Sequence, residues 1–281
     1  MKKIILLASV LFLTSTIKSS YTEILNGDPV TSGHPLASSV VSLFSRYSNP
    51  GYDIDGAWLP SCTGSVLSSK LILTAAHCVQ DMSPKDMAVS FSLDTVTMDQ
   101  QMDPAKRVID IESRFIIRKV KGIEIHPLYN GEGIHDLALI ALADTAPETA
   151  IPVVLLPAEF LVKESNQTVF EGETKIVTLM GFGKIKEDPD TSTEVLRVTK
   201  VSGQFLKNLV VTDQTHGTGG CNGDSGGPAF LHLNGVNYQV GVTHGPHGQS
   251  QTCHEQGEWV NPGLDKDFLD EAVKKLIPEA L

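Results

Sequence analysis

This 281-residue chain carries no internal repeat, no low-complexity tract and no long helical periodicity before its C-terminal end. A helical bundle and a solenoid are thereby excluded. It also lacks an apolar run long enough to cross a bilayer, since the run at residues 4–13 is about half of what a spanning helix needs. Basic residues are scarce: 22 Lys and Arg face 33 Asp and Glu, a formal net charge of −11. That balance removes the electrostatic footprint of a nucleic-acid binder, and no nucleic-acid partner is expected. The alternation of strand and helix that marks an α/β-hydrolase esterase is missing as well.

What is present is a series of short strand-like runs punctuated by Gly and Pro. They include Val40-Val41-Ser42-Leu43-Phe44, Leu71-Ile72-Leu73, Met87-Ala88-Val89-Ser90-Phe91, Arg114-Phe115-Ile116-Ile117, Lys175-Ile176-Val177-Thr178-Leu179 and Asn237-Tyr238-Gln239-Val240-Gly241-Val242. Many short strands indicate an all-β barrel or sandwich, with enough length for one large β domain or two lobes. At the end, Phe268, Leu269, Ala272, Val273 and Leu276 recur at helical spacing and predict an amphipathic helix over about 264–277.

The first residues read as an address. Lys2-Lys3, the apolar run and then Thr14-Ser15-Thr16 follow the order of a secretory signal, expected to extend over about 1–20. Export would place the protein outside the cell, or in a periplasm, and no stable membrane anchor is expected. The four cysteines should then form two disulfides, for which the sequence alone permits three pairings. Cys253-His254 with His244 and His247 fits no closed tetrahedral zinc site, so neither a metal nor another cofactor is expected. Asn166-Gln167-Thr168 is a glycosylation sequon, meaningful only in a eukaryotic secretory route.

Three segments carry chemistry. In Gly220-Cys221-Asn222-Gly223-Asp224-Ser225-Gly226-Gly227-Pro228, glycines let the backbone turn sharply around Ser225, a candidate nucleophile whose N–H could join that of Gly223 as oxyanion donors. A serine hydroxyl is a poor nucleophile at neutral pH and requires a base. Leu73-Thr74-Ala75-Ala76-His77-Cys78 offers His77, and His135-Asp136-Leu137-Ala138-Leu139-Ile140-Ala141-Leu142 offers Asp136 at the mouth of a strand buried on both faces. In this logic the imidazole takes the serine proton and the carboxylate fixes its tautomer.

With the motifs in the order His, Asp, Ser, the chain resembles the chymotrypsin-like (trypsin-fold) serine peptidases from about Ile24 to its end. Cys62-Thr63-Gly64-Ser65-Val66-Leu67, Ile125-His126-Pro127-Leu128-Tyr129 and Met180-Gly181-Phe182-Gly183-Lys184 resemble further landmarks of that family. The resemblance implies two antiparallel six-stranded β-barrels with a C-terminal α-helix. The first barrel spans about 24–142 and carries His77 and Asp136, the connection covers 143–152, and the second barrel spans about 153–262 and carries Ser225. It implies the disulfides Cys62–Cys78 and Cys221–Cys253, and protein or peptide substrates. It further implies a short propeptide at 21–23, cut after Glu23 by another protease or by the enzyme itself. The freed Ile24 ammonium would then pair with Asp224.

The resemblance also locates a specificity pocket at Gly219, Gly220, Thr243, His244, Gly245 and Gly257. Gly219 stands where an Asp would receive Arg or Lys, so basic side chains meet no counter-ion. A glycine-lined pocket fits large apolar side chains, while His244 at its rim fits acidic ones. Thr243 is placed to offer a hydroxyl to Asp136, and His126, His247 and His254 read as loop residues without a role, the last two exposed. A non-catalytic binding protein on the same fold is the alternative function. It is disfavoured because the chain retains all three triad residues and the glycine loop.

Overall fold

The computed structural model describes residues 24–46, 56–96, 111–157, 170, 172–185, 195–248, 250 and 252–280. The expected signal, propeptide and sequon lie outside the described residues. Six strands close the first barrel: β2 (Val40–Arg46), β3 (Trp58–Ser68), β4 (Leu71–Thr74), β5 (Met87–Ser90), β6 (Ile117–Ile125) and β7 (Ala138–Leu142), in the order β2-β3-β4-β7-β6-β5. After the short β8 (Val154–Leu155), the second ring closes through β9 (Thr174–Gly181), β10 (Arg197–Phe205), β11 (Leu209–Asp213), β14 (Gln256–Val260), β13 (Val236–Pro246) and β12 (Pro228–Leu233), which returns to β9. All ladders within both rings are antiparallel, so the fold is the pair of six-stranded barrels that the family resemblance implies.

Strand β7 is buried at every position, and its Leu139 and Ile140 fill the first barrel with Val41, Leu43, Ile72 and Leu73. Trp259, Val177, Val210 and Val240 fill the second. The terminal helix α2 (Lys266–Leu276) buries Leu269, Ala272 and Leu276 against the first barrel's core, with Phe268 and Val273 packed beside them. The helical spacing read from the sequence is therefore the face that docks. Residues 143–152 cross the first barrel's surface, held by Ala146 N–H to Ser69 O (2.7 Å) and Ile151 N–H to Ser38 O (3.0 Å).

Two boundaries differ from the sequence reading. The segment after Ile24 belongs to the second barrel: Ile24 joins its core, and β1 (Asp28–Pro29) pairs with β10. Strand β6 begins at Ile117, because residues 111–114 close a helical turn, α1 (Ile111–Arg114), with Phe115 N–H bonded to Ile111 O. That turn carries Phe115 inward against Phe44, so an apolar run with strand character is used as a buried corner.

Both disulfides implied by the resemblance are present, Cys62–Cys78 and Cys221–Cys253. Replacing either pair by alanine should lower stability by about 2–4 kcal/mol, with the larger loss for Cys221–Cys253 because it closes 32 residues rather than 16. Denaturant unfolding of the two double variants checks both size and order.

Candidate active site

Strand β4 ends at Thr74, and a 3-10 turn over Ala76–Cys78 lifts His77 from the barrel mouth. Asp136 precedes β7 and is fully buried, with three donors around its carboxylate. Its Oδ1 accepts the backbone N–H of His77 at 2.8 Å. Its Oδ2 lies 2.6 Å from Nδ1 of His77 and 2.6 Å from Nδ1 of His244. An ionised carboxylate only accepts, so both Nδ1 atoms carry protons and each neutral ring keeps its lone pair on Nε2. The two rings meet edge to face with centroids 5.8 Å apart. Burial would push Asp136 up, but the hydrogen bonds from His244 and His77 outweigh it and hold the carboxyl at about 2. His244 is raised by its hydrogen bond to Asp136, against the desolvation that would lower it, with further help from Glu258 and Glu132.

The serine loop abuts this group. Thr63 N–H bonds to Ser225 O at 2.8 Å, Thr63 Oγ1 bonds to Gly223 O at 2.9 Å, and Gly226 N–H bonds to Thr243 O at 2.8 Å, one residue before His244. A Cβ on Gly226 would meet Thr74 Oγ1 at 2.0 Å, so only glycine lets the loop approach the turn that carries His77. Asp224, Gly226 and Gly227 commit their N–H groups internally. Those of Gly223 and Ser225 have no internal acceptor among the described residues. Gly223 adopts φ +100° and packs on Gly183. No hydrogen bond joins Ser225 Oγ to His77 among the described residues, a gap common in unliganded hydrolases, where this bond tightens with substrate.

Asp224 is buried beneath the loop, its two oxygens accepting N–H from Gly183 and Cys221, each at 2.8 Å. A Cβ on Gly181 or Gly183 would overlap its carboxyl, so these glycines make its chamber. Desolvation pushes Asp224 up to about 7 despite the two backbone bonds, and no cationic side chain pairs with it among the described residues. Ile24 is 1% exposed, and Leu25 bridges Gly219 on the same loop.

The pocket beside Ser225 is lined by Gly220, Thr243, Gly245 and Gly257, as the sequence reading has it, but its space is filled differently. Gln214, which that reading passed over, lies 2% exposed at its base, and the remaining cavity is about 40 Å³. Gly219 backs onto Gln214, where a Cβ would stand 2.2 Å from its amide carbon. His244 lies outside this pocket and lines a neighbouring cleft with Glu132, Gly133, His247 and Glu258. The Thr243 hydroxyl donates to Gly227 O rather than to Asp136, because His244 occupies the carboxylate.

Other histidines also depart from the sequence reading. His247 is half-buried with Nδ1 2.7 Å from Glu258, whereas His254 is exposed as expected. His126 is buried, stacked on His135 at 4.4 Å, and both reach Asp265 Oδ1 at 3.4 Å. Leu128 N–H donates to Nδ1 of His126, which leaves its proton on Nε2, 3.4 Å from Asp265 Oδ1, while the buried Nδ1 of His135 makes no hydrogen bond among the described residues. The sequence signal for Asp265 is weak, since it lies more than a hundred residues from His126 and His135, whereas Glu258 is only 11 residues from His247 across paired strands.

Comparison with known proteins agrees with this geometry. The Trypsin family model matches residues 53–257. A venom serine protease of Bombus ignitus is 29% identical over 243 residues, covering 79% of this chain and 61% of that protein. Brachyurin of Leptuca pugilator is 28% identical over 191 residues, covering 64% and 74%. Chymotrypsin-like elastase family member 1 of Homo sapiens is 24% identical over 210 residues, covering 68% and 72%. The chain thus spans about three fifths of the bumblebee relative's length. With two closed barrels, paired His77 and Asp136 beside the Ser225 loop, and a family match across most of its length, the chain belongs to the trypsin family of chymotrypsin-like serine peptidases.

Proposed function

We propose that this chain is a secreted serine endopeptidase, made as a precursor, that cleaves peptide bonds through a Ser225 acyl-enzyme. The observation that carries the reading is the His77–Asp136 pair set against a serine loop with two uncommitted N–H groups. His77 Nε2 takes the Ser225 proton as Oγ attacks the scissile carbonyl, and the N–H groups of Gly223 and Ser225 hold the oxyanion. The protonated ring then hands its proton to the leaving amine, and a water activated the same way releases the acid. Asp136 holds the ring's tautomer and stabilises its cation. His244 is a positioning residue that anchors the same carboxylate oxygen from the second barrel. The described lining of the pocket includes no carboxylate, which supports poor cleavage after Arg or Lys.

Activation follows from Asp224. Cleavage of the Glu23–Ile24 bond would free an ammonium on a buried residue whose neighbour Leu25 bridges Gly219, and that ammonium would give the Asp224 carboxylate a cation. Whether the cut is made by another protease or by a second copy of this chain is read by adding a trace of processed protein to a Ser225→Ala precursor.

Three measurements test the reading. Ser225→Ala and His77→Ala should each lower kcat of the processed protein by about 10⁴-fold or more, with the fold intact by circular dichroism. Full proteolysis by Ser225→Ala would remove the assignment. His244→Phe removes one of the three donors that hold Asp136, so the carboxylate should position His77 less firmly. The kcat/KM of the processed protein should then fall below that of the wild type, with its fold intact by circular dichroism. In the uncut chain the folded Asp224 carboxyl holds its proton more tightly than the unfolded one. The folded state therefore binds more protons between about pH 4 and 7, and its stability falls as pH rises through that window. Asp224→Asn should flatten this slope in denaturant titrations of the precursor.

A further inference from the structure

Three glycines, Gly219, Gly220 and Gly257, would leave an open chamber beside Ser225 if nothing else entered it. The residue that enters is Gln214, immediately after β11. Its placement is fixed on every side. Nε2 donates to Gly220 O at 3.1 Å and to Cys253 O at 2.8 Å, while Oε1 accepts Gly220 N–H at 2.7 Å, with the Thr212 hydroxyl 3.4 Å away. Its own N–H is tied to Glu255 O. Trp259 closes the adjoining wall, its Nε1–H donating to Thr212 Oγ1 at 3.0 Å.

Glycine is required at two of these positions by the same side chain. A Cβ at Gly219 would overlap the Gln214 amide at 2.2 Å, and one at Gly257 would stand 2.8 Å from Thr212 Oγ1 and 2.9 Å from Gln214 Oε1. The glycines therefore make room for glutamine, and the space left for a substrate is small. A water molecule needs roughly 10–15 Å³ of such space. The cavity of about 40 Å³ consequently admits a few heavy atoms. An alanine, serine or valine side chain fits that volume, whereas an aromatic ring or the stem of arginine does not.

The chemistry of the base sharpens the selection. Both amide donors of Gln214 are committed to backbone carbonyls, so no spare N–H is offered to a carboxylate. Its oxygen faces the Gly220 N–H and carries no charge to meet a cation. An acidic or basic side chain would be desolvated there without a partner, which disfavours its binding.

We propose that Gln214 is the specificity-determining residue of this peptidase, plugging the pocket beside Ser225 so that it accepts small uncharged side chains at the position preceding the cleaved bond. The proposal rests on the reading of Ser225 as nucleophile and names the substrate class of that same site. Gln214 also braces the disulfide-bonded loop through Gly220 and Cys253, so its removal tests packing as well as selection.

The test uses the processed full-length protein and a panel of peptides differing only at that position: Ala, Val, Phe, Arg and Glu. The wild type should give kcat/KM for Ala and Val at least about tenfold above Phe, Arg and Glu. Gln214→Gly should raise Phe relative to Ala at least about tenfold, by opening the chamber. The rate of fluorophosphonate labelling, which needs no side chain in the pocket, reports whether the variant's site is still assembled. A wild-type preference for Phe, Arg or Glu would overturn the proposal without touching the nucleophile. So would an unchanged ranking in a Gln214→Gly variant that labels at the wild-type rate. If that variant fails to fold, Gln214→Ser with the same panel and the wild-type ranking decide the question. Peptides left uncut by a processed wild type that does not label would overturn the catalytic reading, and this proposal with it.

Discussion

The Asp136 carboxylate is the constraint on which the rest of the site depends. It is fully buried, and a buried carboxylate without donors would be prohibitively costly. Three donors meet it: the backbone N–H and Nδ1 of His77 from the first barrel, and Nδ1 of His244 from the second. The charge thus acts as a clasp between the two barrels at their junction, and the clasp sets the orientation of both imidazoles. His244 does here what the neighbouring Thr243 hydroxyl does not, since that hydroxyl is turned to Gly227 O.

Asp136 and Asp224 are the same residue in two environments, and the contrast divides their roles. Two imidazole donors and a backbone N–H overcome burial at Asp136, so its charge is stable across the pH range in which proteins work. At Asp224 two backbone donors do not overcome full burial, and the carboxyl is pushed up to about 7. A carboxyl that burial holds near its titration point would ionise fully if a cation were brought beside it, the physical basis of the proposed activation by Ile24. The first carboxylate is held ionised by its donors, and the second is not.

Much of this was legible in the sequence because its signals are local. The glycine-rich serine loop, the histidine after an apolar strand and the aspartate before a buried strand each lie within one segment, and the structure brings those segments together. The helical stripe from Phe268 to Leu276 was readable for the same reason. What stayed hidden depends on distance in the chain. Nothing local tells that Gln214 turns into the pocket, that His244 reaches Asp136, or that Asp265 ties His126 to His135. The glycines at 219 and 257 were visible, but a missing Cβ reads equally as an open chamber or as room for another side chain. Phe115 illustrates a further limit, since strand propensity yielded to a buried corner.

The central claim is that Ser225, activated by His77 on Asp136, is a nucleophile. Intact-mass and peptide mapping of the processed protein after exposure to a fluorophosphonate tests it most directly. The account predicts a single phosphonyl adduct on Ser225, formed far more slowly in Asp136→Asn, where the neutral side chain no longer holds the same ring tautomer. An adduct on another residue, or a labelling rate indifferent to Asp136, would contradict it.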